Sequence, residues 1–107
     1  MEKSYLAALA SVLGYAASRK VFMLVNYFGS AKAAYEASQA EVLASGIIKG
    51  NLQNYYNSHW KENLPEVLAE YCANTGAQII SLKETIYPQA LKSISVPPAV
   101  LYVRGNL

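Results

Sequence analysis

Residues 87–106 read Tyr87-Pro88-Gln89-Ala90-Leu91-Lys92-Ser93-Ile94-Ser95-Val96-Pro97-Pro98-Ala99-Val100-Leu101-Tyr102-Val103-Arg104-Gly105-Asn106. They hold an apolar strand, Ala99 to Val103, set up by a Pro-Pro pair and closed by Arg104-Gly105-Asn106. Proline fixes its own φ and biases the preceding residue towards extended geometry, which keeps Val96 and Pro97 out of helix. A strand needs a partner, and the other extended apolar run is Ala77 to Leu82. Two strands alone make at best a marginal sheet. The expectation is therefore the front part of a longer protein, with strands near 77–82 and 99–103 that their order allows to be parallel.

Everything upstream reads as helix. Tyr5, Leu6, Leu9, Val12 and Leu13 share one face of a helix from Ser4 to Leu13 that ends at Gly14. This face argues for an amphipathic core helix, although Leu6 to Ser18 also has the look of a weak signal peptide. Ser18 is placed to cap a second helix with the stripe Val21, Leu24, Val25 and Phe28, which Gly29 ends. Ser30 caps a short third helix, Ala31 to Glu36, and Ser38-Gln39-Ala40-Glu41 has the form of a capping box opening a fourth. Gly46 and Gly50 punctuate the next turn. A fifth helix carries Leu52, Tyr55, Tyr56, His59 and Trp60 on one face. Asn63 caps a sixth, with Leu64, Val67, Leu68, Tyr71 and Cys72 inward and Gly76 as its C-cap.

Composition sets the outer limits. The chain has 107 residues, 53% apolar and 15% charged, which is a globular and not a disordered composition. No aspartate is present, and a formal charge of +2 does not by itself establish a nucleic-acid partner. The single cysteine, Cys72, excludes an internal disulfide and fits a reducing compartment. No apolar run approaches the roughly 18 residues of a membrane span.

Tyr87-Pro88, Leu91, Ile94, Pro97-Pro98 and Val100-Leu101-Tyr102-Val103-Arg104-Gly105-Asn106 together resemble the lead-in to the Rossmann-like domain of the DNA-processing protein A family (DprA, also called Smf). Where that family commonly has an Asp two residues before Tyr-Pro, this chain has Glu84, Thr85 and Ile86. The resemblance implies a cytoplasmic, non-enzymatic protein that binds single-stranded DNA and helps load the RecA recombinase in natural transformation, a competence and recombination function. It implies no cofactor. Self-association and strand binding in the family belong chiefly to the Rossmann-like domain, so no such residue carries over. The implied division is a helical module over 1–75 and the start of a Rossmann-like domain over 76–107.

The helical part also resembles a tandem helix-hairpin-helix unit of the SAM-like class, in which glycine hairpins present backbone N–H groups to a DNA phosphate. Its hairpins read Gly14-Tyr15-Ala16 and Gly46-Ile47-Ile48, both without the second glycine that the family carries two places on. The physics of such a site is an anion at a helix N-terminus. Arg19, Lys20 and Lys49 lie near the two hairpins and complete the candidate DNA-binding set with Gly14 and Gly46. The same glycines equally fit plain turns or caps, and the same cations fit a solvated surface.

Nine tyrosines and Trp60 offer stacking surfaces for unpaired bases, but Tyr55, Tyr56 and Trp60 recur with Leu52 at the spacing of a core stripe. His59 is the only histidine and falls on that face. One His, one Cys and no Asp assemble no His/Cys metal set, and no nucleophile–base arrangement or phosphate-binding glycine loop is apparent. Three function classes follow: the accessory segment of a DprA-like protein, a free-standing helix-hairpin-helix DNA-binding domain, and a protein-interaction module. The fold expected is mainly α, six short helices in a SAM-like or helix-hairpin-helix-like bundle followed by two short strands that begin a Rossmann-like sheet.

Overall fold

A computed structural model describes residues 2–14 and 17–104. Tyr15 and Ala16 of the first hairpin, and Gly105 and Asn106 after the last strand, lie outside the described residues. The fold is mainly α. Helices α1 (Glu2–Leu13), α2 (Ser18–Phe28), α3 (Ala31–Glu36), α4 (Gln39–Ala44), α5 (Asn51–His59) and α6 (Leu64–Thr75) precede strand β1 (Gln78–Ser81), and a single turn of helix, α7 (Gln89–Lys92), precedes β2 (Val100–Val103).

Helix α1 is the axle. Leu6, Leu9, Val12 and Leu13 are buried as their shared face requires, but so are Ser4, Ala7 and Ala8. A helix buried on so many sides needs small residues where neighbours come close, and Ala7 and Ala8 provide them. It packs against α2, α3, α5, α6 and both strands. Its first residue reaches further: the Glu2 carboxylate accepts from the backbone N–H groups of Ala31 and Lys32 at 2.6 and 3.2 Å, at the start of α3. That is the favourable end of a helix for a negative charge. Lys3 pairs with Glu84 at 2.9 Å, and Glu84 also accepts from the Ser81 N–H at the end of β1. This backbone bond and the Lys3 ammonium hold the Glu84 carboxyl below its ordinary range.

Several local signals read from sequence hold. Ser30 accepts from the Ala33 N–H, Ser38 and Glu41 close a reciprocal capping box, and Gly29 and Gly76 end their helices in the left-handed region. Others are corrected. Ser18 does not cap α2: Ala17 occupies the N-cap, and Ser18 is the first helical residue, buried. Asn63 stands at the start of α6 without a side-chain capping bond; there Pro65, in the first turn, needs no N–H partner. The inward stripe of α6 is narrower than expected. Leu64, Leu68 and Cys72 pack on the core as one row, whereas Val67 and Tyr71 are about half exposed on the flank. Cys72 is thus half-buried and not enclosed.

The strands fall where the apolar runs predicted, but they are antiparallel, with Ile79 opposite Tyr102 and Ser81 opposite Val100. A clasp in the connection accompanies this pairing. The Tyr87 ring is buried, and its hydroxyl donates to the Pro98 carbonyl at 2.8 Å. That bond brings the chain back to the end of β1 that it left, where Leu82 N–H meets the Ala99 carbonyl. A parallel return needs a crossover, usually a full helix laid on the sheet; α7 has only four residues. Ile79, Ala99 and Val100 join the same hydrophobic cluster as the helices.

Candidate nucleic-acid interface

The glycines of the two expected hairpins both fall between helices. Gly14 follows α1 with φ +86°, and Gly46 follows α4 with φ +73°. A Cβ built at either would meet nothing within 4 Å, so the backbone angle and not close approach is what selects glycine. The second turn does not run straight into a helix. Ile47 and Ile48 are buried, and Gly50, with φ +62°, takes the N-cap of α5. Gly50 therefore belongs to the hairpin as much as Gly46 does. Its signal in the sequence was a glycine directly before the α5 pattern.

Lys20 ties α2 to the second turn. Its ammonium donates to the Ile47 carbonyl at 2.7 Å, from the first turn of α2 to the loop after Gly46. Lys20 is thereby committed to the fold, which the sequence did not reveal. Arg19 and Lys49 are exposed. The positive charge left for a phosphate near the hairpins is that of these two side chains, with whatever the bonded Lys20 ammonium still projects.

The aromatic residues divide differently from the expected stripe. In α5 the buried positions are Gln53 and Tyr56, while Tyr55 and His59 lie outside and stack on each other with ring centroids 4.0 Å apart. The His59 ring nitrogen lies 2.9 Å from the Tyr55 carbonyl, one turn back along the helix. Trp60 leaves the helix end and stacks on Tyr35. Tyr71 and Tyr102 meet edge to face at 6.3 Å, both part-exposed. Two pairs of rings thus reach solvent where a continuous core stripe was expected. Among the described residues, no group of three or more His, Cys, Asp or Glu side chains gathers in a way that would hold a metal, and no helix is long and apolar enough to cross a membrane.

No family model, curated protein or solved structure matches the chain.

Proposed function

We propose that the chain is the amino-terminal accessory segment of a DprA-like protein, a cytoplasmic, non-enzymatic protein that binds single-stranded DNA and loads RecA during natural transformation. The observation that carries this reading is the Tyr87–Pro98 clasp. Tyr87 and Pro98 are both elements of the motif on which the resemblance rests, and their bond closes that stretch into one unit that delivers β2 to β1. Ile94, Val96 and Tyr102 in the same stretch, and Ile86 just before it, are each about half exposed. Part-exposed apolar side chains along this segment suit one that packs against further protein. Strong strand binding is assigned to that further protein, because few free cations flank the hairpins. Titration of a labelled oligonucleotide against this chain, and against a longer protein that continues it, tests the reading. Tight binding by the longer protein alone is expected; equal, salt-tolerant binding by this chain would overturn it.

A second reading, a helix-hairpin-helix DNA-binding domain, is favoured by one observation. The Lys20–Ile47 bond ties the start of α2, which follows the first glycine turn, to the loop after the second. On that reading Arg19 and Lys49 contact duplex phosphates, and charge reversal at both abolishes binding.

A further inference from the structure

Two helices of this chain carry exposed rows that match each other in charge and in apolar content. In α2, Arg19, Met23 and Tyr27 follow at i, i+4 and i+8, which sets them in one row about 12 Å long. Met23 is 42% exposed and Tyr27 58%, and Arg19 at the head of the row is exposed too. Val21 and Leu24, fully buried on the inner side of the helix, fix that row outward. The Tyr27 ring is positioned by Phe28, edge to face at 4.9 Å. Helix α2 contains no acidic residue.

Helix α6 has the opposite character. Glu66 and Glu70 lie one turn apart and are exposed, and Val67 and Tyr71, each 48% exposed, form the adjoining row. The row Leu64, Leu68 and Cys72 packs on the core, so the acidic and apolar rows face away from it. Helix α6 contains no Lys, Arg or His. The ion pair found among the described residues is Lys3–Glu84, which leaves Arg19, Glu66 and Glu70 without a charge partner inside the chain. Arg, Met and Tyr are residue types enriched in protein–protein interfaces, and here they stand in a single exposed row.

We propose that these two faces bind each other between copies of this chain, α2 of one copy lying antiparallel on α6 of the next. Arg19 then meets Glu70 and the Tyr71 ring, Met23 packs on Val67, and Tyr27 lies over the first turn of α6. The spacing agrees: Met23 lies about 6 Å along α2 from Arg19, and Val67 about 4.5 Å back along α6 from Glu70. Antiparallel helices also oppose their dipoles, and the cation at the start of α2 falls towards the negative end of α6. A second copy is the occupant because the matching acid and apolar rows are already present on this chain. Each copy offers both faces, so a two-fold arrangement makes the contact twice. Few side chains meet at each contact, and the association is accordingly weak, with Kd on the order of 0.1 mM. This goes beyond the function proposed above and uses no residue of the stretch 87–106 on which that reading rests.

The test is sedimentation velocity of the chain from about 10 μM to about 1 mM. The sedimentation coefficient is expected to rise with concentration, with half-association on the order of 0.1 mM. Arg19→Glu and Glu70→Arg, both at exposed positions, should each weaken association at least about tenfold while the circular dichroism spectrum stays unchanged. An equimolar mixture of the two variants should associate as the parent does, because a mixed pair has one contact with both charges reversed and one with neither. Persistent monomer at every concentration would overturn the proposal, as would association that survives either reversal or a mixture that fails to restore it. If the monomeric chain instead showed α2 signals that move in NMR on adding poly-glutamate, the face would belong to an unrelated acidic partner, and the proposal would fall. These readouts use no nucleic acid and no longer protein, so their failure is distinct from failure of the DprA-like reading.

Discussion

Trp60 and Tyr35 hold each other twice over. Their rings stack with centroids 5.3 Å apart and planes 24° from parallel, and the Trp60 indole N–H donates to the Tyr35 carbonyl at 3.0 Å. That carbonyl lies in the last turn of α3, where it has no partner within the helix. The Tyr35 hydroxyl in turn donates to the Lys61 carbonyl at 2.6 Å. A six-residue helix, too short to be stable by itself, is thus pinned to the end of α5.

The clasp gives the first prediction. Trp60→Phe keeps a ring on Tyr35 but removes the indole donor, and should cost about 1 kcal/mol. Trp60→Ala removes both and should cost about 3 kcal/mol, the low end of the range for aromatic truncation because Trp60 is only half-buried. Urea midpoints measure both. Equal losses would show that the stacked ring contributes nothing beyond the indole N–H.

Core packing gives the second. Leu24 is fully buried in the middle of the α2 stripe, so Leu24→Ala should cost about 2–5 kcal/mol. Lys83 is exposed, but its ammonium lies 4.9 Å from the centre of the Phe22 ring. Lys83→Ala should therefore cost about 0.5–1 kcal/mol and not be silent. Equal urea midpoints for the two variants would contradict the placement of Leu24.

Much of this fold was legible because caps, breakers and helical stripes are local. Ser30, the Ser38–Glu41 box, Gly29 and Gly76 act within a few residues of themselves, and each does what its type suggests. The failures are at a distance. Lys20 looks like a surface cation until the loop carrying Ile47 is folded beside it. Val67 and Tyr71 match an inward stripe by spacing, but α6 turns Pro65 and the row Leu64, Leu68 and Cys72 to the core and leaves those two about half exposed. The antiparallel return goes with a contact eleven residues apart, Tyr87 to Pro98, and with a connecting helix of only four residues.

Tyr56 supplies a prediction with a pH signature. Burial, and after it the neighbouring Tyr35, push its phenol up to about 12 from an ordinary 10.0. The folded state thus favours the neutral form. Its contribution is complete below pH 10 and is lost as pH rises towards 12, by up to about 2–3 kcal/mol. The Tyr56 hydroxyl also finds no hydrogen-bond partner among the described residues. Tyr56→Phe should consequently be neutral or stabilising near pH 7, where an unpaired buried hydroxyl is removed. Between pH 10 and 12 it should lose less stability than the parent, with Tyr35 and Tyr87, also raised by burial, accounting for what remains. A variant destabilised at pH 7, or as alkali-sensitive as the parent, would contradict this account.

The three cations near the hairpins should separate in their effects. The Lys20 ammonium is bonded to Ile47, so Lys20→Met should lower stability by about 1 kcal/mol, less than a fully buried charged hydrogen bond because the pair is only part-buried. Arg19→Glu and Lys49→Glu replace exposed side chains and should move stability by roughly 0.5 kcal/mol or less. Binding of a labelled single strand should show the reverse order. With two free cations and a third already engaged, about three phosphate contacts is the ceiling, and the single-strand slope of about −0.7 per contact limits the salt dependence to roughly −2. Binding visible at low salt should fade by ~0.15 M, where the Debye length is about 8 Å. Arg19→Glu with Lys49→Glu should abolish what remains at low salt while leaving the urea midpoint in place. A steeper salt slope, or binding that survives the double reversal, would mean that phosphates are held by side chains away from the two glycine turns.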